Sequence, residues 1–107
     1  MADPRNPVAL KNLGAILGKE GDSLRALYYL RRSFGIDSSE PQTVYGLAFA
    51  YMELGDIEPT QKHFQKVLEM EAPEELRGLA RNGLRGELRL SETHQRGRMT
   101  EENIYLR

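Results

Sequence analysis

The sequence repeats its landmarks after 34 residues, and this internal period constrains the fold more than any other feature. Pro7 aligns with Pro41, and the Gly-Asp pair at 21–22 aligns with the pair at 55–56. Apolar and small residues between these landmarks also coincide: Leu10 with Val44, Leu13 with Leu47, Gly14 with Ala48, Leu17 with Tyr51, and Leu30 with Phe64. A fixed period of this length is typical of a helix-turn-helix unit stacked on copies of itself, so an all-α fold of antiparallel helical repeats is predicted.

The local chemistry of each unit predicts where its two helices begin and end. Apolar residues in the first helix recur at helical spacing. Gly21 and Gly55 stand where that helix should end, because glycine adopts the left-handed conformation at little cost. Asp22 and Asp56 follow, at the position where an N-cap accepts hydrogen bonds from the next helix.

We expect the chain to form one domain made of repeats. Its predicted parts are repeat one at about 7–40, repeat two at about 41–72, a partial third repeat or capping helix at about 73–90, and a polar break with a possible short helix at 91–107, within a single domain over 1–107. After Pro73 the pattern continues through Leu76, Leu79, Ala80 and Gly83. Because about three units are needed to bury a continuous core, the helix after Pro73 is expected to act as a cap.

These landmarks resemble the tetratricopeptide repeat (TPR) family. The family's order of apolar, small, aromatic and Gly-Asp positions reads here "LKNLGAIL" then "GDSLRALYYL", and "VYGLAFAY" then "GDIEPTQKHF". Ala26 fills the small position of the second helix in one copy, whereas Thr60 replaces it in the other, and Leu17 and Leu30 stand where aromatic residues are common. The resemblance covers residues 7–72 and implies a short right-handed solenoid that binds proteins or peptides.

Composition narrows the classes of function. The net charge is −1, so no strong field attracts nucleic acid or an acidic membrane. The chain has no cysteine, which excludes disulfides and thiolate metal sites. No apolar run approaches the roughly 20 residues that span a bilayer. We therefore expect a cytoplasmic protein that binds neither nucleic acid nor a membrane.

No pattern of residues indicates catalysis. Gly18-Lys19 lacks the glycine, the following hydroxyl residue and the preceding strand of a phosphate-binding loop, so it is interpreted as the end of a helix. His63 and His94 are far apart in sequence, and His63 is expected on a solvated outer face. Without clustered ligands or a nucleophile and base, we expect no enzyme activity, no metal and no cofactor.

Residues of the first helices that fall outside the packing stripe are expected to line a concave groove. The predicted peptide-binding residues are Lys11, Ala15, Gln42, Tyr45, Phe49, Met52, Arg77 and Arg81. Their aromatic centre and basic walls suit an extended or helical peptide with an apolar anchor and an acidic or C-terminal group. The leading prediction is a non-catalytic adaptor that binds a peptide segment of a partner. The alternative interpretation is that the aromatic residues complete the core and the arginines form a solvated helix face.

The resemblance argues against one family specificity. Some TPR proteins hold the C-terminal carboxylates of heat-shock chaperones with a Lys, two Asn, a Lys and an Arg. Lys11 matches the first of these positions, but Ala15 and Gly46 replace the asparagines. The resemblance thus implies peptide binding in general.

Two other uses of the surface remain open. Ala9 and Ile16 lie where a preceding repeat would pack, so a self-associating scaffold, a homo-oligomer joined through the solenoid ends, is the alternative function. The segment 91–107 ends in apolar residues and a carboxylate, and it is a candidate to occupy the groove itself.

Overall fold

The computed structural model describes residues 5–86, which form five helices and contain no strand. Their bounds are α1 Pro7–Lys19, α2 Ser23–Ile36, α3 Pro41–Glu53 and α4 Ile57–Glu69, and the described part of α5 spans 74–86. The predicted all-α class is confirmed for this part of the chain. The polar break and short helix predicted at 91–107 lie outside the described residues. None of the described helices is long and apolar enough to cross a membrane.

The helix ends follow from local chemistry. Pro7 and Pro41 begin α1 and α3, where a missing backbone N–H costs little. Asn6 caps α1, its side chain accepting from the backbone N–H groups of Val8 and Ala9 at 2.9 and 3.2 Å. After each of these helices a glycine takes a left-handed conformation, with φ of 85° at position 21 and 78° at position 55. The glycines at positions 21 and 55 thus determine the two turns.

The two aspartates that follow these glycines differ. Asp22 accepts a hydrogen bond from the backbone N–H of Arg25 at 3.2 Å and forms an ion pair with its guanidinium. Asp56 holds the equivalent position but makes no side-chain cap bond. Instead, the Thr60 hydroxyl donates to the Asp56 carbonyl at 2.7 Å. The predicted side-chain cap is therefore present in α2 and absent in α4.

Consecutive helices pack against one another, α1 on α2, α2 on α3 and α3 on α4, with a smaller contact between α1 and α3. Two groups of buried side chains hold them together. One comprises Leu17, Ala26, Leu30 and Leu47; the other comprises Val44, Ala48, Phe64, Val67 and Ala80. Each group joins residues of three successive helices, so the core continues from one helix pair to the next.

Gly14 allows α1 and α2 to approach closely. A Cβ atom at this position would lie 2.6 Å from Leu30 Cγ and 3.3 Å from the Ala26 carbonyl oxygen. Both distances are shorter than ordinary van der Waals contacts, so the packing depends on the missing side chain.

Substitution of Gly14 tests this dependence. Gly14→Ala should lower the free energy of unfolding by about 1–2 kcal/mol, because the added methyl group overpacks the contact with Leu30. Gly35→Ala is the matched control: a Cβ atom there meets nothing within 4 Å. It should raise stability by up to about 1 kcal/mol through helix propensity. Urea unfolding followed by circular dichroism measures both, and equal stability of the two variants would contradict the close contact.

Candidate functional site

The helices α1, α3 and α5 border a groove of about 810 Å³ whose floor is formed by α2. Its walls include Lys11, Asn12, Ala15 and Lys19 from α1, Gln42, Tyr45, Phe49 and Glu53 from α3, and Leu76 and Leu79 from α5. When the glycines and the α2 residues are included, most of the lining is apolar or small, and its charged residues are Lys11, Lys19 and Glu53. A cleft of this size and polarity fits a small number of side chains from a ligand.

Three glycines lie along the floor of the groove. Gly14, Gly18 and Gly46 all border the groove, and beneath them lie Ala26 and Leu30 of α2. A Cβ atom at Gly46 would lie 3.1 Å from Leu30 Cδ1, and one at Gly18 would lie 3.9 Å from Ala26 Cβ. Ala26 and Leu30 are nevertheless only 1% and 3% exposed, so these glycines bring the first helices close to α2 without exposing its side chains.

Two aromatic rings form the central wall. Tyr45 and Phe49 stack with ring centroids 6.5 Å apart, and Tyr45 also contacts the Phe64 ring at 5.6 Å. Burial raises the pKa of the Tyr45 hydroxyl. Phe49 keeps 37% of its surface exposed. Tyr45 therefore packs against the core, as in the alternative interpretation that the aromatic residues complete it. Phe49 presents an apolar surface to the groove.

The rim of the groove is polar. Lys11 Nζ donates to Gln42 Oε1 at 3.0 Å and so bridges α1 and α3. Among residues 5–86, no carboxylate forms an ion pair with Lys11 or Lys19, although Glu53 lies on the same rim. The Lys11 ammonium has further N–H groups that can donate to an incoming acceptor.

The structure brings five of the predicted site residues to the groove: Lys11, Ala15, Gln42, Tyr45 and Phe49. Met52 does not line it. Its side chain is turned towards the core and packs against the group of buried residues around Phe64. The neighbouring Glu53 occupies the rim instead.

Arg77 and Arg81 lie outside the groove lining, so they do not form the predicted basic wall. Both face Glu74: Arg77 Nε lies 3.7 Å from its Oε2, and Arg81 forms an ion pair with its Oε1. Arg77 also donates to the Met70 carbonyl at 3.4 Å, which ties it to the connection between α4 and α5. The position of the two guanidinium groups is therefore determined by intramolecular partners.

The orientation of α5 explains this difference. Ala80 is fully buried, and a Cβ atom at Gly83 would lie 2.5 Å from Phe64 Cζ, so this face of α5 packs against α4. Leu76 and Leu79 consequently border the groove. Sequence reasoning missed these two leucines because it assigned them to the packing stripe. The small residues at 80 and 83 were the available signal, since they permit the close approach of a large ring.

His63, which the sequence analysis considered as a possible metal ligand, makes structural contacts. His63 is half-buried between Phe34 and Tyr51, with ring centroids 6.5 and 5.4 Å away, and its Nδ1 lies 2.7 Å from the Pro59 carbonyl. This position differs from the solvated outer face expected for it. Within the part of the chain that the structure describes, no three His, Cys, Asp or Glu side chains cluster as metal ligands would.

Comparison with known proteins gives no assignment: no family model matches the chain, and no curated protein matches it. The interpretation of the groove therefore depends on its own geometry and on the repeat pattern of the sequence.

The ion pairs of Glu74 predict a titration effect. Arg81 lowers the pKa of the Glu74 carboxyl group, mainly through its hydrogen bond, and Arg77 contributes less. Arg81→Gln should raise this pKa, as measured by NMR titration of the side-chain carboxyl. A lowered folded-state pKa stabilises the fold above the unfolded-state pKa, and this contribution is lost as pH falls through the folded-state value. The stability difference between wild type and variant should therefore shrink in acid.

The control for this titration is Arg85→Gln, which removes another exposed arginine of the same helix. It should leave the Glu74 pKa unchanged. Identical titration midpoints in wild type and Arg81→Gln would show that Arg81 is not held by Glu74 in solution.

Proposed function

We propose that this protein is a non-catalytic adaptor that binds a peptide segment of a partner protein in the groove between α1, α3 and α5. One observation carries the proposal: the exposed ring of Phe49 lies beside a groove lined largely by small and apolar residues. Apolar grooves with a few polar groups on the rim are a recurring mode of peptide recognition. The polar groups here include Lys11 of α1 and Gln42 of α3, which are hydrogen-bonded to each other.

The proposal includes a TPR-like arrangement, in which helix pairs stack as a short right-handed solenoid. The spacing of the elements supports it: α1 and α3 each have 13 residues and begin with a proline, and each is followed by a left-handed glycine. In solenoids of helix pairs, small rotations between repeats create an extended concave binding surface. The first helices α1, α3 and α5 would line that surface.

The chemistry of the groove limits the ligand class. Phe49 and Leu79 are exposed apolar groups that suit an apolar anchor on the peptide. Since Arg77 and Arg81 face Glu74, any preference for an acidic or C-terminal segment depends on the lysines of α1. Hydrogen bonds from an ammonium group to a carboxylate are stronger than those between neutral groups. The proposed ligand is thus a peptide with an apolar side chain next to a carboxylate.

A selected peptide tests the site. A random peptide library displayed on phage is enriched on the immobilised intact chain, and a synthetic copy of the selected peptide is labelled for fluorescence anisotropy. Ala15→Arg places a long side chain across the groove and should weaken binding at least about tenfold. The control is Gln65→Arg, which adds the same side chain at an exposed position of α4 outside the groove. It should leave the affinity unchanged.

Two results would overturn the proposal. The first is equal affinity of the selected peptide for Ala15→Arg and Gln65→Arg, with both variants as helical as wild type. The second is a library that yields no peptide retained by the intact chain.

The charge preference is tested separately at Lys11. Lys11→Gln should weaken binding of a selected peptide with a free carboxylate by about tenfold and reduce its dependence on salt. Amidation of the same peptide should remove this difference. Lys62→Gln on α4 is the control, because Lys62 is exposed and lies outside the groove. If Lys11→Gln binds the free and amidated peptides as wild type does, the lysine does not recognise a carboxylate.

A further inference from the structure

The contact between α2 and α3 buries one side of α3. Thr43, Leu47 and Ala50 lie on this side and are 0%, 1% and 3% exposed. Leu47 belongs to the same buried group as Leu30 of α2, and the Thr43 hydroxyl lies 3.4 Å from the Ser33 hydroxyl. These three residues thus form the surface of α3 that packs against the preceding helix pair.

The equivalent side of α1 is uncovered. The residues 34 positions earlier are Ala9, Leu13 and Ile16, which we call the α1 edge. Leu13 is 39% exposed and Ile16 is 54% exposed. Within residues 5–86, no helix packs over them as α2 packs over α3. The α1 edge is therefore the counterpart, in the first described helix, of a surface that is buried between α2 and α3.

We propose that a second copy of this chain covers the α1 edge, with the two α1 helices packed antiparallel across a twofold axis. In a head-to-tail contact, the α1 edge of one copy would pack on the second helix of a helix pair in the other copy. It would use the side of that helix on which the next pair packs. Within the described part, α3 covers that side of α2, and α5 packs on α4 through Phe64 and Gly83. The α1 edge is the uncovered apolar surface of this kind there, so the contact is self-complementary.

The charges on the α1 edge are compatible with this contact. Ala9, Leu13 and Ile16 are uncharged, and so is the neighbouring Asn12. Two copies can therefore meet without placing like charges opposite each other.

The register follows from side-chain size. With the axis between residues 12 and 13, Ala9 of one copy lies opposite Ile16 of the partner subunit. The small residue then accommodates the large one, as close packing requires. Leu13 lies next to the axis and approaches its own counterpart.

Ala9, Leu13 and Ile16 do not line the groove, whereas Asn12, next to the axis, belongs to its α1 wall. If the groove binds peptides as proposed above, the dimer presents two such sites and binds a ligand with two segments more tightly than one site does. The dimer itself does not depend on that function.

Sedimentation equilibrium of the intact chain, across about 1–100 µM, tests the contact. Wild type should be a dimer, and Ile16→Lys should raise the dissociation constant at least about tenfold by placing charges at the interface. Leu24→Lys is the control. Leu24 is 70% exposed, and its equivalent Glu58 is also exposed, so the repeat pattern does not cover this position. The control should dimerise as wild type does.

Cross-linking tests the antiparallel register without a charged substitution. Since the chain has no cysteine, Leu13→Cys carries a single thiol. Helices packed 8–10 Å apart place facing Cα atoms about 5 Å apart, which a disulfide can span. Mild oxidation should convert Leu13→Cys to a covalent dimer and leave Leu24→Cys largely monomeric.

Three outcomes would overturn the inference. They are a monomeric wild type across the whole concentration range, an Ile16→Lys variant that dimerises as wild type does, and a Leu13→Cys variant that cross-links no faster than Leu24→Cys. None of these measurements involves a peptide, so their failure is distinguishable from failure of the proposed function.

Discussion

The arrangement of the helices depends on one large side chain from each second helix that packs against small residues of the first helices. Leu30 and Phe64 hold equivalent positions, 34 residues apart, and are 3% and 1% exposed. Leu30 contacts the positions of Gly14 and Gly46, while Phe64 packs over Gly83. A missing Cβ atom on one partner lets the other be buried at close range, and burial of such side chains contributes about 1.5–3 kcal/mol each. The distance between successive first helices follows from this contact.

The same contact shapes the groove. Gly14 and Gly46 lack side chains, so α1 and α3 approach Leu30 closely along the floor of the groove, and Leu30 stays 3% exposed there. Leu30 thereby serves both as a core residue and as part of the floor. A substitution at either glycine would change stability and groove shape together, because one set of atoms determines both. Ala15 is exposed beside them, so the surface can be altered there with less effect on the core.

The first four helices could be predicted from the sequence because short-range chemistry fixes their ends: proline at the start of α1 and α3, and left-handed glycine after each. The orientation of α5 could not, since it depends on a contact between Phe64 and Gly83 that joins different helices. Because of that contact, Leu76 lies in the lining of the groove. This wall is apolar, whereas basic residues were expected there. The ion pair between Arg77 and Glu74 could nevertheless have been predicted from the spacing, because Glu74 precedes Arg77 by three residues on the same helix face.

A repeated unit offers the same surfaces at every copy, so its ends always leave one of them without the neighbour that covers it inside. At the α1 edge, Ile16 is more than half exposed, whereas its equivalent, Ala50, is almost fully buried. Exposure alone does not mark an interface, since Leu24 is exposed as well. Its equivalent, Glu58, is also exposed, so the repeat itself distinguishes a position that is covered inside the array from one that always faces solvent. The exposed apolar side chain of Ile16 is therefore the observation on which the proposed contact with a second copy depends.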